Sequence, residues 1–156
     1  MKVRELLDDP NYNKLIQQLV FQRKRRDLTQ QFMAENLYVC LKSYQDYETG
    51  KHPMSIAFIQ EFTKQFKLNV DDYFPVEDVI TEPFDDMDIN FIQWLKIYCV
   101  IHNTNISALC KEADINRNTA AVWKTNNTLP LGIYNLYSIA LYTHRSLSSL
   151  LNKFYT

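Results

Sequence analysis

The stretch that decides the fold reads LTQQFMAENLYV, residues 28–39, and continues without a break as CLKSYQDYETGK, residues 40–51. Its apolar positions recur later in the chain at a constant offset of 76, where Met33, Leu37, Val39 and Tyr47 correspond to Leu109, Ala113, Ile115 and Trp123. The series extends upstream, with Leu15, Ile16 and Leu19 matching Phe91, Ile92 and Leu95, and downstream, with an offset of 77, from Pro53 to Pro130 and from Phe74 to Leu151. We interpret this ordered series as an internal duplication rather than as chance similarity between two helical segments.

The composition favours helices over every alternative. Gly50 and Gly132 are the only two glycines of the chain. This scarcity argues against glycine-rich phosphate loops, dinucleotide fingerprints and hairpin-rich β architectures, because all of these need backbone at positive φ or in close approach to a ligand. With 46% apolar and 13% aromatic residues, the chain is rich enough to fold around a core. The sequence therefore predicts an all-α protein.

The charge distribution divides the chain into three segments. Residues 76–90 contain six acidic and no basic residues, whereas residues 91–156 contain six basic and two acidic ones. We therefore predict an N-terminal domain over residues 1–75, an acidic linker over 76–90 and a C-terminal domain over 91–156. The aspartates of the linker do not form a calcium loop, because the glycine and the terminal glutamate of such a loop are missing.

The quoted stretch resembles the helix-turn-helix of the XRE family, the class of the lambdoid phage repressors and Cro. The shared features are Leu28, Thr29 and Gln30 opening the second helix, Ala34 at a close helix approach, Leu37 and Val39 bracketing the turn, and Tyr47, Glu48, Gly50 and Lys51 closing the third helix. The sequence departs from the family at Tyr38, where a glycine is usual, and at Cys40, where a capping Ser or Thr is usual. Residues 105–124 resemble the family more loosely. The resemblance implies two tandem repressor-like helix-turn-helix domains of about five helices each.

A helix-turn-helix places its second helix in the major groove of DNA, where the first residues of that helix reach base edges. The predicted base contacts are Leu41, Lys42, Ser43 and Gln45 in the first copy, and Asn116, Arg117, Asn118 and Thr119 in the second. The second set is chemically better suited to recognise bases, because arginine can form paired hydrogen bonds with guanine and asparagine with adenine. Asp46 is also expected to face outward, where a carboxylate is unfavourable against the phosphate backbone, although it can accept a hydrogen bond from cytosine.

Basic and amide side chains around these helices are candidates for phosphate contacts. They are Arg23, Lys24, Arg25, Arg26, Gln30, Lys51 and Lys124; Gln30 is included because family members contact phosphate at this position. The alternative interpretation of the run from Arg23 to Arg26 is a solvated helix end whose cations complement the helix dipole.

The sequence contains no recognisable catalytic motif. No serine lies in a glycine-flanked nucleophile elbow, and His52, His102 and His144 have no metal-ligand spacing. We therefore expect no enzyme, no cofactor and no metal. The predicted function is a sequence-specific DNA-binding transcriptional regulator, a repressor of the phage or mobile-element type. The alternative is a protein-interaction module on the same scaffold, such as a phage-encoded inhibitor or antirepressor.

Location and partners follow from the same observations. The longest apolar run, residues 97–101, is far shorter than the roughly 20 residues of a membrane span, and no signal-peptide pattern opens the sequence. Cys40, Cys99 and Cys110 lack Cys-x-x-Cys spacing and are expected to be reduced. We predict a cytoplasmic protein whose partner is double-stranded DNA and not a membrane. Homodimerisation through one copy, or a protein partner on the C-terminal domain, is the alternative to both copies binding one DNA molecule.

Overall fold

The computed structural model describes residues 1–155, and within this range it contains ten α-helices, two 3-10 helices and no strand. The prediction of an all-α protein is confirmed. The chain divides into two compact units. One unit is Val3–Pro75, and the other consists of Met1–Lys2 together with the chain from Val76 onward.

Capping residues mark the ends of several helices in the N-terminal unit. Its elements are α1 (Val3–Leu7), α2 (Pro10–Arg25), α3 (Gln30–Asn36), α4 (Leu41–Thr49), α5 (Ile56–Gln65) and the 3-10 helix Val70–Asp72. Asp9 caps α2 by accepting from the amides of Asn11 and Tyr12, and Pro10 follows it at the first helical position. Thr29 caps α3 and Gly50 ends α4 in the left-handed conformation.

The core of this unit is built from the apolar faces of α2 to α5. Leu15, Leu19, Met33 and Phe62 are fully buried. The ring of Phe58 on α5 lies 4.7 Å from the ring of Tyr47 on α4. The apolar positions recur at helical spacing, so each helix turns one face to this core.

The second unit contains five further α-helices and a 3-10 helix at Pro83–Asp86. The α-helices are α6 (Phe91–Ile101), α7 (Ile106–Glu112), α8 (Arg117–Asn126), α9 (Ile133–Thr143) and α10 (Leu147–Phe154). The starts of α7 and α8 follow those of α3 and α4 at an offset of 76, and the start of α9 follows that of α5 at an offset of 77. The element order from α2 to α5 is therefore repeated from α6 to α9.

All the left-handed residues of the described chain except Asp78 repeat between the two units with the same offsets. Asp27 and Tyr38 have positive φ, as do Asn103 and Asp114 at the equivalent positions of the second copy. Gly50 and Lys67 correspond in the same way, with an offset of 77, to Asn127 and His144. The offset changes between the start and the end of α8, which has ten residues where α4 has nine. The extra residue of the second copy therefore lies within this helix.

The acidic segment of residues 76–90 belongs to the second unit and is partly packed in it. Phe84 in the 3-10 helix is buried, and the indole Nε1 of Trp94 donates to Asp85 Oδ1 at 2.8 Å. Arg145, only 2% exposed, forms ion pairs with Glu82 at 2.5 Å and with Asp85 at 3.1 Å. The segment predicted as a linker thus supplies the carboxylates that a buried guanidinium requires.

Candidate nucleic-acid interface

The helices α3 and α4 are joined by the short turn 37–40, and three features set its shape. Tyr38 has φ 61°, in the left-handed region that favours glycine. The amide of Val39 donates to the carbonyl of Ala34 at 3.0 Å. Because Ala34 is small and fully buried, the two helices can approach closely at this point.

The predicted base contacts of the first copy lie on α4, interleaved with its buried residues. Tyr44 and Tyr47 face the core, whereas Leu41 and Lys42 are exposed and Ser43 and Gln45 are half-buried. The half-buried side chains have local partners. Gln45 Nε2 donates to Gln30 Oε1 at 3.2 Å, and Ser43 accepts from the Cys40 thiol at 3.2 Å.

Asp46 lies beside the exposed Lys42 on α4, but its carboxylate is largely covered and not open to solvent as expected. Only 9% of the residue is exposed, because Lys42 covers the carboxylate from the preceding turn, with 2.6 Å between Nζ and Oδ1. His52 Nε2 lies 3.7 Å from the other carboxylate oxygen. The hydrogen bond from Lys42 lowers the pKa of Asp46 below its usual value, outweighing the opposite effect of burial, and the positive charge of Lys51 adds to it.

A polar network around Glu48 joins α2, α3 and α4. Arg23 donates two hydrogen bonds to the Glu48 carboxylate, from Nε to Oε1 at 2.6 Å and from Nη2 to Oε2 at 3.2 Å. The Tyr44 hydroxyl donates to Oε1 at 2.7 Å, and Gln30 Nε2 donates to Oε2 at 2.9 Å. Burial raises the pKa of Glu48, but the hydrogen bonds from Arg23, Tyr44 and Gln30 outweigh it and hold that pKa below the usual value. The sequence singled out Gln30 and Glu48 as features of the resemblance and Arg23 as a phosphate candidate, but it did not predict that these side chains bind one another.

The basic run at the end of α2 splits into two pairs. Arg23 is held by Glu48, and Arg26 donates to Gln22 while its guanidinium lies 4.8 Å from the centre of the Phe66 ring. The side chains of Lys24 and Arg25 are exposed and have no hydrogen bond or ion pair within the described residues. Lys24 and Arg25 are therefore the members of the run that remain available to an external anion.

The other predicted phosphate contacts also divide into a side chain that is engaged inside the unit and side chains that are exposed. Both polar atoms of the Gln30 side-chain amide are engaged inside the unit, one by Glu48 and one by Gln45. Lys51 is exposed directly after α4, where its backbone amide donates to the carbonyl of Asp46 at 3.0 Å. Lys124 is exposed on α8.

In the second copy, the predicted base contacts lie at the start of α8. Asn116 caps this helix by accepting from the amide of Asn118 at 2.8 Å. Arg117 and Asn118 are exposed in the first turn, while Thr119 is half-buried beside the buried Ala120. The turn before α8 is closed as in the first copy, with the amide of Ile115 donating to the carbonyl of Cys110 at 2.7 Å.

The structure was also searched for membrane-spanning helices and for metal sites. Within residues 1–155, no helix is long and apolar enough to cross a membrane. The described part of the chain also lacks any group of three or more His, Cys, Asp or Glu side chains suited to hold a metal ion.

Comparison with protein-family models, with curated proteins and with solved structures found no match to this chain.

Proposed function

We propose that the protein is a sequence-specific DNA-binding transcriptional regulator, acting as a repressor in the cytoplasm. One observation carries this proposal: α3 and α4 form a short helix, a tight left-handed turn and a second helix, and α7 and α8 repeat the same arrangement at the offset of the duplication. In both copies the second helix exposes residues at its start. This is the arrangement in which a recognition helix reaches base edges in the major groove.

The chemistry of the exposed side chains indicates which of them would contact bases and which would contact phosphates. Arg117 and Asn118 are suited to hydrogen bonding with guanine and adenine, and Leu41 is suited to the methyl group of thymine. Lys24, Arg25, Lys51 and Lys124 are exposed cations that would bind phosphates and fix the position of the recognition helices. Arg23 and Gln30 would support α4 from inside the unit.

The test is selection of bound DNA from a random double-stranded pool by the purified full-length protein, followed by a salt titration. A defined sequence motif should be enriched, and its affinity should fall steeply with salt, because phosphate contacts release counterions. A pool that stays random after repeated rounds, with no salt-dependent binding, would contradict the proposal.

A second candidate is a protein-interaction module on the same scaffold. It is favoured by apolar exposure at the helix-turn-helix itself, where Tyr38 is 80% exposed and Phe32 50%. An exposed apolar surface of this kind is typical of protein contacts. Replacing both residues with serine would weaken partner capture in this case, whereas in the leading proposal the selected motif would be unchanged.

A further inference from the structure

The helix α4 carries a cation and a carboxylate on adjacent turns, and the cation, Lys42, is one of the residues predicted to contact bases. Lys42 is 68% exposed along its side chain, yet its ammonium lies 2.6 Å from Asp46 Oδ1. We propose that Asp46 is a specificity-determining residue, which holds Lys42 in an ion pair and so keeps it from binding the phosphates of unrelated DNA. This inference rests on the proposed function, because it concerns the same DNA-binding surface.

The position of Asp46 suits this role. The carboxylate is largely covered, and two further groups lie around it: His52, at 3.7 Å from Oδ2, and Lys51, whose positive charge acts on it and whose amide binds the Asp46 carbonyl. Asp46 therefore offsets positive charge at both ends of the recognition helix. An ion pair at the surface contributes little to folding, because solvent and salt screen it and two side chains must be held in one geometry. Its larger effect is on which anion Lys42 can bind.

DNA of the wrong sequence has only its phosphates to offer. To bind such a phosphate, Lys42 must leave Asp46, and the released carboxylate then lies within the Debye length of the phosphate backbone and is repelled by it. On the correct sequence, the other predicted base contacts of α4, Leu41, Ser43 and Gln45, bind base edges while Lys42 stays paired with Asp46 instead of contacting a base, so this cost does not arise. An element that penalises wrong partners in this way raises the ratio of specific to non-specific affinity.

The test compares wild-type protein with Asp46→Asn on two DNA duplexes, one carrying the selected motif and one of scrambled sequence. Asp46→Asn frees Lys42, so binding to the scrambled duplex should tighten roughly five- to tenfold near 0.1 M salt and its salt slope should steepen by about 0.9, as for one added phosphate contact. Binding to the motif should change less, and the ratio of the two affinities should fall.

Two further variants make the result specific to the ion pair. Asp8→Asn changes the net charge of the N-terminal unit equally, but at an exposed position after α1. It should leave the affinity ratio unchanged. In a double-mutant cycle, Lys42→Gln should abolish the effect of Asp46→Asn on the scrambled duplex. Thermal unfolding of each variant verifies that the fold is intact.

The outcomes separate the two proposals. If wild-type protein selects a motif but Asp46→Asn changes the affinity ratio no more than Asp8→Asn does, the inference about Asp46 is overturned and the DNA-binding function stands. Persistence of the Asp46→Asn effect in the Lys42→Gln background also overturns it. If neither wild-type protein nor any variant binds DNA of either sequence, the proposed function fails as well.

Discussion

At the scale of single residues, Glu48 connects the folding of the first copy to its proposed surface. It holds Arg23 from α2, Tyr44 from α4 and Gln30 from α3, so the three helices share one buried carboxylate. Arg23 and Gln30 were predicted to contact phosphates, but their polar atoms are engaged here. In the proposed DNA-binding function, their contribution would therefore be indirect, through the position of α4.

We predict that Glu48→Gln lowers the free energy of unfolding at neutral pH by about 2 to 3 kcal/mol, because it leaves the Arg23 guanidinium without its charged partner. The folded pKa of Glu48 is below its usual value, so its stabilising contribution is present above that usual value, 4.5, and is lost as the pH falls through the folded pKa. Urea unfolding at several pH values measures this. A difference between wild type and Glu48→Gln that stayed constant from pH 7 to pH 3 would contradict it.

At the second copy, we predict that Arg117→Ala relaxes the preference at one or two base positions, at a cost of about 1 to 3 kcal/mol on the selected motif. The reason is the exposed location of Arg117 in the first turn of α8. Repeating the DNA selection with the variant measures the effect, with Lys111→Ala on α7 as a matched cation control. A uniform loss on all sequences would instead make Arg117 a phosphate contact.

At the scale of elements, the start of α4 differs from the other helix starts around it. Thr29 at α3, Asn105 at α7 and Asn116 at α8 each accept a hydrogen bond from a helix amide, whereas the side chain of Cys40 makes no such bond at α4. The backbone of Cys40 nevertheless has the extended conformation of an N-cap, with ψ 157°. Helix α4 therefore begins without the cap hydrogen bond that α8, its equivalent in the second copy, has.

We predict that Cys40→Ser raises the free energy of unfolding, because a serine hydroxyl at this position can accept from an amide in the first turn. Thr29→Ala, at a cap that is already made, should lower it by about 1 kcal/mol, and this loss sets the upper bound for the gain at Cys40. Urea denaturation of both variants provides the measurement. A loss of stability in Cys40→Ser would show that the contact of the thiol with Ser43 matters more than the missing cap.

At the scale of the whole molecule, a net charge of -1 conceals the cations proposed to meet DNA. Two acidic side chains of the 76–90 segment are committed to Arg145, and Asp46 is committed to Lys42. Lys24 and Arg25 have no such commitment within the described residues. The positive charge available to a partner is thus determined by which charged side chains form ion pairs within the protein, and not by the formal net charge.

We predict that replacing Lys24 and Arg25 together with glutamine weakens binding similarly on all DNA sequences and lowers the magnitude of the salt slope by about 0.9 for each lost contact. Arg26→Gln is the control, because Arg26 is held by Gln22 and Phe66, and its slope should change less. Affinity measured from low to moderate salt tests this. An unchanged slope and affinity in the double variant would support the solvated helix end instead.

The sequence by itself determined the helices and their order. Apolar residues at helical spacing, a near absence of glycine and capping residues such as Asp9, Thr29 and Asn116 act over one or two turns of chain, so they can be read locally. The offset of the duplication likewise appears again in the helix starts and left-handed turns. These features can be predicted because backbone hydrogen bonding and side-chain periodicity depend on near neighbours.

Only the tertiary structure decided which polar side chains are used internally. Arg23 and Glu48 are 25 residues apart, and Arg145 and Glu82 are 63 residues apart, so no local pattern indicates that they meet. The packing of Phe84 likewise turns part of a predicted linker into structure. The physical reason is that the cost of burying a charge is met by whichever partner the packed helices bring within hydrogen-bond distance, and that partner is fixed by the fold and not by its place in the sequence.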